Sequence, residues 1–393
     1  MVLCLGAGRN RIDSSALDYA INMTASDQHS AKTTLADVAR LAGVSVSTAS
    51  IAFSGSGPIS DSTRERVRAA AAELGYDGPD PRARSLRQGR SGVIGIVLES
   101  RLRYAFRDPV TSITLDGIAD GLGAEGNGLL LLTDAGTGDA TIETAAVDAV
   151  VLLSCSRRFD RSIEVLRRRG IPVVSIEGPP RPELVEITVD NRAASATAAL
   201  YLRGLGHDRV AIVALPTVIE AEPGFIDADT FIGIEVTRQR LDGARSVYPD
   251  APAHSTVHNT PEDGRLAALA LLSGPPAERP TAIIAQADLL AVGAIRAIEE
   301  LGLRVPEDVS VIGFDGIRID GLEHDLTTMV QPANEKGQAA GRVVAELLAA
   351  AAGAPAIPAH PLAFTCTLHP GTTTASPPAA TPAATTPAAA ATD

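Results

Sequence analysis

The chain of 393 residues has no tryptophan, three methionines and an aromatic share of only 3%. Its cysteines, Cys4, Cys155 and Cys366, lie too far apart in sequence for a disulfide framework or a metal-ligand motif, which fits the reducing cytoplasm. No apolar run approaches a membrane span, and no long apolar segment follows basic residues near the N-terminus. We therefore expect a cytoplasmic protein with no membrane partner, no secretory signal and no metal site.

The composition is that of a globular protein, since 45% of the residues are hydrophobic and 21% are charged. The length suffices for two or three hydrophobic cores. A formal net charge of −13 argues against a protein that coats nucleic acid over its whole surface. Residues 33–92 differ, because they hold eight arginines against six carboxylates, a net charge of about +2. Within this stretch, residues 82–90 contain four arginines and no carboxylate. The four are Arg82, Arg84, Arg87 and Arg90.

Residues 34–76 have the pattern of three short helices. The first has apolar residues at positions i, i+3, i+4 and i+7, namely Leu35, Val38, Ala39 and Ala42. Gly43 breaks this pattern, and Ser45 can cap a second helix over residues 45–53. Ser60 can cap a third helix, whose inward residues are Val67, Ala71 and Leu74. Two short helices at a glycine turn, braced by a third, predict a helix-turn-helix whose second helix enters the DNA major groove.

From Gly92 onward, short apolar runs alternate with helical patterns. The strand candidates are Val93–Leu98, Leu129–Thr133, Ala149–Leu153, Val173–Ile176, Val210–Leu215, Ala282–Ala285 and Val309–Phe314. The helix candidates are Ser112–Leu122, Arg161–Arg169, Ala193–Leu205, Pro261–Leu272 and Leu289–Leu301. This alternation predicts parallel sheets covered by helices, and the number of strands favours two lobes. Ligands bind at the carboxyl ends of such strands, so we expect a site in the cleft between the lobes.

The two ends of the chain lack a core pattern. Residues 1–32 are polar and unpatterned, and we expect a disordered N-terminal extension. If translation starts at Met23, residues 1–22 are an upstream extension; otherwise they are part of a disordered arm. Residues 371–393 consist almost entirely of alanine, threonine and proline, and we expect a disordered tail because such a segment has little to bury.

Three apparent motifs carry no chemistry. Gly121-Leu-Gly123-Ala-Glu-Gly126 has GxGxxG spacing, but it follows a helix and precedes a strand, so we interpret its glycines as a helix end. His254 and His258 have no third ligand nearby, and their surroundings favour an exposed loop over a metal site. Gly206-His207 follows a helix and favours a capping role. The sequence contains no GxSxG, HExxH or Walker motif, so we expect neither a cofactor nor an enzyme.

Several other short motifs occur along the chain after the helix-turn-helix pattern. They are Gly75-Tyr76, Ala83-Arg84-Ser85-Leu86-Arg87, Gly89-Arg90-Ser91, Gly206-His207, Arg240-Leu241-Asp242-Gly243, Pro280-Thr281-Ala282, Ala287-Asp288, the segment from Gly302 to Asp315, and Leu326-Thr327-Thr328. Together with residues 34–76, they resemble the LacI/GalR family of bacterial transcription regulators over residues 33 to 370. The helix-turn-helix and the segment 302–315 are the most specific of these motifs.

The resemblance implies an all-α helix-turn-helix headpiece joined to an α/β periplasmic-binding-protein-like core of two doubly wound lobes. The expected domains are the headpiece at 33–80, a hinge helix at 81–91 and the core at 92–370. Lobe one would comprise residues 92–189 and 306–331, and lobe two residues 190–305 and 332–370. The resemblance also implies a homodimer, because two headpieces must meet the two half-sites of a near-palindromic double-stranded DNA operator.

In the family pattern, Val46, Ser47 and Ile51 take the base-reading positions of the recognition helix. Many relatives have arginine at the position of Ile51, where it would pair with guanine. Val46 and Ile51 can instead contact thymine methyl groups, while Ser47 can hydrogen-bond either as donor or as acceptor. The alternative for Ile51 is packing against the headpiece core.

Eight further positions match family contacts to DNA phosphates. Small hydroxyl groups and helix N-termini suit this contact because they reach backbone oxygens without bulk. Ser45 and Ser60 can alternatively serve only as helix caps. The eight positions are Thr34, Ser45, Thr48, Ser50, Ser54, Ser60, Thr63 and Tyr76.

The expected hinge helix covers residues 81–89. The resemblance implies that it folds on DNA and wedges a leucine into the minor groove, which kinks the duplex. Leu86 matches that leucine, and its polar neighbours, among them the DNA-contact candidates Arg84 and Arg87, argue against a core position. The segment from Gly75 to the hinge is one residue longer than usual, which would shift the alignment of headpiece and hinge.

Arg240, Asp288 and Asp315 match family positions that bind a small-molecule effector, which the resemblance implies to be a sugar or a related metabolite. Asp288 should begin a helix and Asp315 should end a strand, both at the carboxyl edge of a sheet. A carboxylate can accept two sugar hydroxyls, and a guanidinium can donate a fork of bonds. The alternative for Asp288 is a helix cap. Phe106, in the loop after the first strand, can stack on a ligand ring or anchor the loop.

These features predict a transcriptional repressor whose operator affinity changes when an effector closes the lobes and thereby moves the hinges. The residues do not indicate whether the effector releases the operator or promotes binding to it. Two other classes remain open. A solute-binding protein of a transporter would share the core but needs a signal peptide, and an enzyme on this fold would need a nucleophile with a base.

Overall fold

The computed structural model describes residues 33–55, 57–78, 89–99, 102–123, 127–133, 141–154, 156–219, 221–319, 321–354 and 360–378. Expectations for residues 1–32, for Arg84, Leu86 and Arg87 of the hinge, and for 379–393 lie outside these ranges. The chain divides into two compact units, residues 1–89 and 90–393, which are called the headpiece and the core below.

The described part of the headpiece is all-α. Its helices are α1 (Leu35–Ala42), α2 (Val46–Ser54) and α3 (Asp61–Glu73). Thr34, Ser45 and Ser60 cap them, each accepting a hydrogen bond from the backbone N–H three residues ahead. Gly43 ends α1 with φ of 65°, a conformation that costs glycine little. The small core consists of Val38, Ala39, Ala49, Ala52, Val67, Ala70 and Ala71. The predicted helix-turn-helix is confirmed.

The core alternates strands and helices, as predicted. Its strands are β1 (Val93–Leu98), β2 (Gly128–Thr133), β3 (Ala149–Leu153), β4 (Val173–Ile176), β5 (Val185–Val189), β6 (Val210–Ala214), β7 (Gly224–Phe225), β8 (Ala253–Ser255), β9 (Ala282–Ala285), β10 (Ser310–Asp315), β11 (Thr327–Val330), β12 (Leu362–Phe364) and β13 (Thr367–His369). Its helices are α4 (Leu102–Ala105), α5 (Pro109–Leu122), α6 (Thr141–Thr144), α7 (Asp160–Arg168), α8 (Asn191–Gly204), α9 (Glu235–Arg245), α10 (Pro261–Leu272), α11 (Asp288–Glu300) and α12 (Ala333–Ala351).

These strands form two sheets, which confirms the two-lobed α/β core. The strand order is β12-β5-β4-β3-β1-β2 in lobe one and β13-β11-β10-β9-β6-β8-β7 in lobe two. Pairing is parallel except that β13 and β7 run antiparallel to their neighbours in lobe two. Apart from the extra edge strand β7, the two orders correspond strand for strand. Strands β1 and β6 therefore occupy equivalent places in the two lobes.

The expected division of the C-terminal half between the lobes is wrong. Strand β10 pairs with β9, and β11 pairs with β10, so residues 310–330 extend the sheet of lobe two. Helix α12 instead buries Ala339, Ala340 and Val344 in the core of lobe one. The chain then adds β12 to lobe one and β13 to lobe two. It thus passes between the lobes after β5, between β11 and α12, and between β12 and β13.

Glycines allow α5 and α12 of lobe one to pack backbone against backbone. A Cβ atom on Gly117 would lie 2.2 Å from the carbonyl oxygen of Asn334, and one on Gly121 would lie 2.2 Å from that of Gln338. From the other helix, a Cβ atom on Gly337 would lie 2.2 Å from the carbonyl oxygen of Thr114. Within the GxGxxG pattern at 121–126, Gly121 therefore serves the packing of the two helices. Gly123 ends α5 with φ of 75°.

The C-terminal segment is ordered further than expected. The side chain of Thr373 is buried, and its hydroxyl accepts from Thr327 N at 2.9 Å and donates to Val311 O at 2.7 Å. Nε2 of the buried His207 lies 2.8 Å from the carbonyl oxygen of Ala375. The described residues 371–378 therefore belong to lobe two, because their hydroxyl and backbone groups satisfy polar groups at the edge of its sheet.

The region of His254 and His258 also differs from the expectation of an exposed loop. His254 is half-buried in β8, and its ring meets that of Phe225 edge-on at 5.1 Å. Among the described residues, no group of three or more histidine, cysteine, aspartate and glutamate side chains could hold a metal ion.

Within the part of the chain that the structure describes, no single helix is long and apolar enough to cross a membrane. Helices α1 and α2 pass that test only as a pair, which is bent by 104°.

Candidate functional site

Helix α2 carries the residues expected to read bases. Val46 and Ser47 are exposed in its first turn, where the recognition helix of a helix-turn-helix faces the major groove. Ile51 lies further along the helix and is half-buried. A Cβ atom on Gly57 would lie 3.1 Å from Ile51 Cγ2, so Ile51 packs against the loop that follows α2. This contact agrees in part with the alternative of core packing, although Ile51 does not belong to the buried cluster of the headpiece.

The hydroxyl groups expected at phosphates are concentrated at the N-termini of α1, α2 and α3, where Thr34, Ser45 and Ser60 are the caps. Ser45 Oγ accepts from Thr48 N at 3.1 Å, and Ser60 Oγ accepts from Thr63 N at 3.3 Å. A hydroxyl that accepts a hydrogen bond from a backbone N–H can still donate its own hydrogen to a phosphate oxygen, so capping and phosphate contact are compatible. Ser54 is exposed, Ser50 is half-buried, and the ring of Tyr76 meets that of Phe53 edge-on at 5.6 Å.

Six buried side chains of the core form a closed circuit of hydrogen bonds and one ion pair, which we call the interlobe ring. They are Glu177, Asn191, Arg240, Asp315, Gln331 and Lys336. Asn191 donates to Glu177 Oε2 at 2.7 Å and accepts from Arg240 Nε at 2.9 Å. Arg240 Nη1 lies 3.6 Å from Asp315 Oδ1, which also accepts from Gln331 Nε2 at 2.6 Å. Lys336 Nζ closes the circuit by donating to Gln331 Oε1 at 2.6 Å and to Glu177 Oε1 at 2.9 Å.

The interlobe ring joins the two lobes where the chain passes between them. Glu177 follows β4 and Lys336 lies on α12, so both belong to lobe one. Asn191 begins α8, Arg240 lies on α9 and Asp315 ends β10, and these three belong to lobe two. Gln331 lies in the passage between β11 and α12. Arg240 and Asp315 are therefore linked to side chains of lobe one through Asn191 and Gln331.

Asp315 is the most perturbed acid of this ring. Burial, together with the neighbouring carboxyl of Asp288, raises the pKa of its carboxyl to about 8 against the attraction of Arg240. Its backbone φ of 132° is rare for a residue other than glycine. The guanidinium of Arg240 lies 3.5 Å from the centre of the Phe314 ring, a cation–π contact that holds the arginine in place.

Asp315 predicts a pH dependence of stability. Its folded-state pKa lies above the ordinary 3.8, so the folded protein retains a proton that the unfolded chain releases between about pH 4 and 8. The free energy of unfolding should therefore fall as pH rises through this range, by up to about 1.4 kcal/mol per pH unit. Urea denaturation of the wild type and of Asp315→Asn at a series of pH values measures this slope. An equal slope in both proteins would contradict the assignment.

Asp288 begins α11, as predicted, but its carboxylate bonds within the fold. It accepts from Thr328 Oγ1 at 2.6 Å and from the backbone N–H groups of Gly316 and Ile317 at 2.8 and 2.9 Å. Burial raises the pKa of this carboxyl to about 6. The N-cap residue of α11 is Ala287, so Asp288 does not act as the cap. Its carboxylate instead positions the loop that follows Asp315.

Phe106 lies in lobe one, directly after α4, in the connection from β1 to α5. Its side chain is 66% exposed, so the alternative of a buried loop anchor does not apply. The neighbouring Asp108 caps α5 by accepting from Val110 N at 3.1 Å. The Phe106 ring is thus exposed to solvent on the connection that follows β1.

Four of the ring residues were missed from the sequence: Glu177, Asn191, Gln331 and Lys336. Glu177 directly follows the predicted strand Val173–Ile176, a position that could have marked it as a cleft residue. Asn191 and Lys336 gave no such signal, since each lies in a helical pattern. Lys336 reaches the interlobe ring only because α12 packs on lobe one. The position of α12 in turn depends on which of the two sheets β10 and β11 join.

Comparisons with known proteins agree with this geometry. The model of bacterial regulatory proteins of the lacI family matches residues 34–78, and that of the periplasmic binding protein-like domain matches residues 199–374. The transcriptional regulator IpsA of Corynebacterium glutamicum is 32% identical over 357 residues, which cover 87% of this chain and 97% of that protein. The transcriptional repressor CytR of Escherichia coli is 33% identical over 335 residues, which cover 81% and 90%.

Solved structures share the same architecture. A LacI-family transcriptional regulator from Corynebacterium glutamicum has a TM-score of 0.64 at 28% identity and covers 88% of this chain and 100% of its own. The complex of the regulator CelR with cellobiose has a TM-score of 0.61 at 25% identity and covers 87% and 100%.

A helix-turn-helix headpiece with a two-lobed core defines a DNA-binding regulator. The chain belongs to the LacI family of bacterial regulatory proteins and is a DNA-binding transcriptional regulator. The relatives described above are regulators, which favours this class over a solute-binding protein of a transporter.

Proposed function

We propose that the protein is a cytoplasmic, homodimeric repressor without enzymatic activity, whose affinity for a double-stranded operator changes when a small-molecule effector binds between its lobes. The interlobe ring carries this proposal. A ligand that bonds to Arg240 or Asp315 must compete with their hydrogen bonds to Asn191 and Gln331, and these two residues in turn bond to Glu177 and Lys336 of lobe one. Ligand binding and lobe arrangement are thereby coupled, as control of a distant DNA site requires.

The class of effector is a sugar or a related metabolite. Arg240 within α9 offers a guanidinium and Asp315 at the end of β10 offers a carboxyl group, a pairing that suits hydroxyl groups. CelR, whose core has the same fold, was solved with cellobiose, which supports this class. The repressor assignment is supported by CytR, which is named a repressor. A coupling of about 1–3 kcal/mol would change operator affinity roughly 5- to 150-fold.

A fluorescence anisotropy titration tests the effector control. Labelled DNA from upstream of the protein's own gene is titrated with protein in the presence and absence of cellobiose, glucose, ribose and nucleosides. We expect at least one compound to change operator affinity in the wild type. Asp315→Asn should retain operator binding but lose this response, because the ligand and the ring lose the carboxyl group that accepts from Gln331 and faces Arg240. A response that survives in Asp315→Asn would contradict the proposed site.

The recognition helix gives a second prediction. Val46→Glu should abolish operator binding, because it places a carboxylate at an exposed position that faces the bases and phosphates. The free energy of unfolding should change by no more than about 0.5 kcal/mol, as is usual for exposed positions. Ala72→Glu adds the same charge at an exposed position of α3 and is the matched control. Equal loss of binding in both variants would show a general charge effect and not base reading.

The edge of lobe one supplies the proposed dimer surface. Strand β2 ends the sheet, and its Leu129 and Leu130 are each 38% exposed. An exposed apolar sheet edge is unfavourable in a monomer, so a second copy of the chain is its expected cover. Leu129→Lys should yield monomers in analytical ultracentrifugation and weaken operator binding, because one headpiece then reads one half-site. Leu200→Lys, at an exposed leucine of α8, should remain dimeric; a dimeric Leu129→Lys protein would refute this surface.

A further inference from the structure

The chain enters the core through three residues that are bonded to two different layers of lobe one. Ser91 donates from its N and Oγ to Asp148 Oδ1 at 2.8 and 2.9 Å, and Gly92 N donates to Oδ2 at 2.7 Å. Asp148 directly precedes β3, so its carboxylate fixes the chain to the sheet. Arg90 Nη2 donates to the carbonyl oxygen of Leu348 at 2.8 Å, in the last turn of α12. The first core residues after the expected hinge are thus held both by the sheet and by a helix packed on it.

The bond from Arg90 lies at a helix end that favours a cation. The last carbonyl groups of a helix lack full helical partners, and the helix dipole places partial negative charge there. Helix α12 has no basic residue in its own last turn, so Arg90 supplies this charge from another part of the chain. The Leu348 carbonyl also accepts from Ala352 N at 3.2 Å and has a second lone pair for Arg90. The side chain of Leu348 packs against the core of lobe one, which holds the acceptor in place.

The other end of α12 belongs to the interlobe ring. Lys336 is the fourth residue of the helix, and its Nζ donates to Gln331 Oε1 and to Glu177 Oε1. Gln331 lies two residues before the helix begins and donates to Asp315 of lobe two. From Lys336 to Leu348 the helix rises by about 18 Å, at 1.5 Å per residue. One helix thus connects the interlobe ring with the point at which the expected hinge leaves the core.

Helices α5 and α12 form one layer on the sheet of lobe one. Their backbones meet directly, since a Cβ atom on Gly341 would lie 2.4 Å from the carbonyl oxygen of Ile118, in addition to the close approaches at Gly117 and Gly337. Such contacts cannot adjust by rotation of side chains, so the two helices move as a unit. Against the sheet, the layer packs through aliphatic side chains such as Val344. Small sliding of packed helices is a common form of conformational change.

We propose that α12 transmits the state of the interlobe ring to the hinge, and that Arg90 is the positioning residue that makes this connection. The inference rests on the proposed function, in which an effector changes operator affinity. A ligand that takes over bonds of the ring releases Gln331 and Lys336, and the layer of α5 and α12 slides on the sheet. The carbonyl that holds Arg90 then moves, while Ser91 and Gly92 stay bonded at the sheet. The direction in which the chain leaves the core changes, and operator affinity changes with it.

A double-mutant cycle on operator affinity tests this connection without any ligand. Gln331→Met opens the ring at similar volume and without a change of charge, and Arg90→Met removes the cation from the end of α12. The double variant should deviate from the product of the two single effects by at least about fivefold, because Gln331 acts through Arg90. Distant sites that act independently deviate by about twofold or less.

Arg342→Met is the matched control for the cycle. Arg342 is exposed on α12, six residues before Leu348, so its replacement removes the same charge from the same helix. Its effect on operator affinity should multiply with that of Gln331→Met. A simple product for Arg90→Met with Gln331→Met would overturn the inference. So would a folded Gln331→Met protein that binds the operator as the wild type does.

The effector response gives a second measurement, on variants of exposed residues that should fold normally. Operator affinity is measured with and without cellobiose, glucose, ribose and adenosine. For a compound that changes the affinity of the wild type, the ratio of the two affinities should fall towards one in Arg90→Met. Arg90→Lys retains a cation that can donate to the Leu348 carbonyl and should keep most of the response, and Arg342→Met should keep all of it. If Arg90→Met instead weakens binding by the same factor with and without the compound, Arg90 contacts DNA phosphates and the inference is wrong.

The outcomes separate this inference from the proposed function. If a compound changes operator affinity equally in the wild type and in Arg90→Met, effector control stands and the connection through α12 is wrong. If no compound changes the affinity of the wild type while the cycle shows the deviation, the proposed ligand class fails and the connection through α12 stands.

Discussion

Replacing Gly117 with alanine is expected to lower the free energy of unfolding of the core by about 3 kcal/mol, the upper end of the usual cost of overpacking. The added Cβ atom would lie 2.2 Å from the carbonyl oxygen of Asn334, and a backbone oxygen cannot move aside as a flexible side chain can. Helices α5 and α12 must then separate along their whole contact, where Gly121 and Gly337 make equally close approaches. Chemical denaturation followed by circular dichroism measures the loss.

A matched alanine substitution distinguishes this packing effect from a general effect of removing glycine. Gly204 lies at the end of α8, where an added Cβ atom would meet nothing within 4 Å. Gly204→Ala should leave stability unchanged or raise it, because alanine loses less backbone entropy on folding. If Gly117→Ala and Gly204→Ala proved equally stable, the close approach of α5 and α12 would be refuted.

Arg240→Met should have the second large effect, on both stability and regulation. The substitution keeps much of the side-chain volume but removes the buried cation that lies 3.6 Å from Asp315 and bonds to Asn191. Breaking a buried ionic network at one partner typically costs about 3–5 kcal/mol, because the remaining groups lose their partner without regaining water. Operator binding should persist wherever the protein is folded, but its response to the effector should be lost with the connection between the lobes.

Arg238→Met is the control for this prediction. Arg238 lies two residues earlier on α9, is exposed, and pairs with the surface carboxylates of Glu235 and Asp242. Exposed ion pairs contribute about 0–1 kcal/mol, so the free energy of unfolding should change little. Urea denaturation at neutral pH compares the two variants with the wild type. A loss in Arg238→Met as large as that in Arg240→Met would mean that removal of charge from α9, and not the buried network, explains the effect.

Local patterns predicted the headpiece and most of the core strands. The caps Thr34, Ser45 and Ser60 are defined by hydrogen bonds to residues three positions ahead, which is why sequence spacing alone locates them. Apart from the edge strand β2, the strands predicted in the core are buried on both faces or nearly so, and a continuous apolar run is the signature of such a strand. Strands β5 and β11 escaped prediction because β5 alternates buried and half-buried residues and β11 begins with two buried threonines.

The candidate site was only partly predictable. Asp315 could be placed because it ends a strand whose apolar run is visible in the sequence. The role of Asp288 could not be foreseen, since its carboxylate bonds to Thr328 and to the N–H groups of Gly316 and Ile317, which follow other strands.

The sequence by itself determined the kind of protein: a helix-turn-helix headpiece, a two-lobed α/β core and the family to which the chain belongs. These follow from contacts between residues close in sequence and from motifs read in order. Tertiary structure alone decided that residues 310–330 join lobe two while α12 packs on lobe one, and that Lys336 therefore meets Glu177. Periodicity shows that a strand or a helix forms, but the partner of its buried face depends on residues far away in the chain.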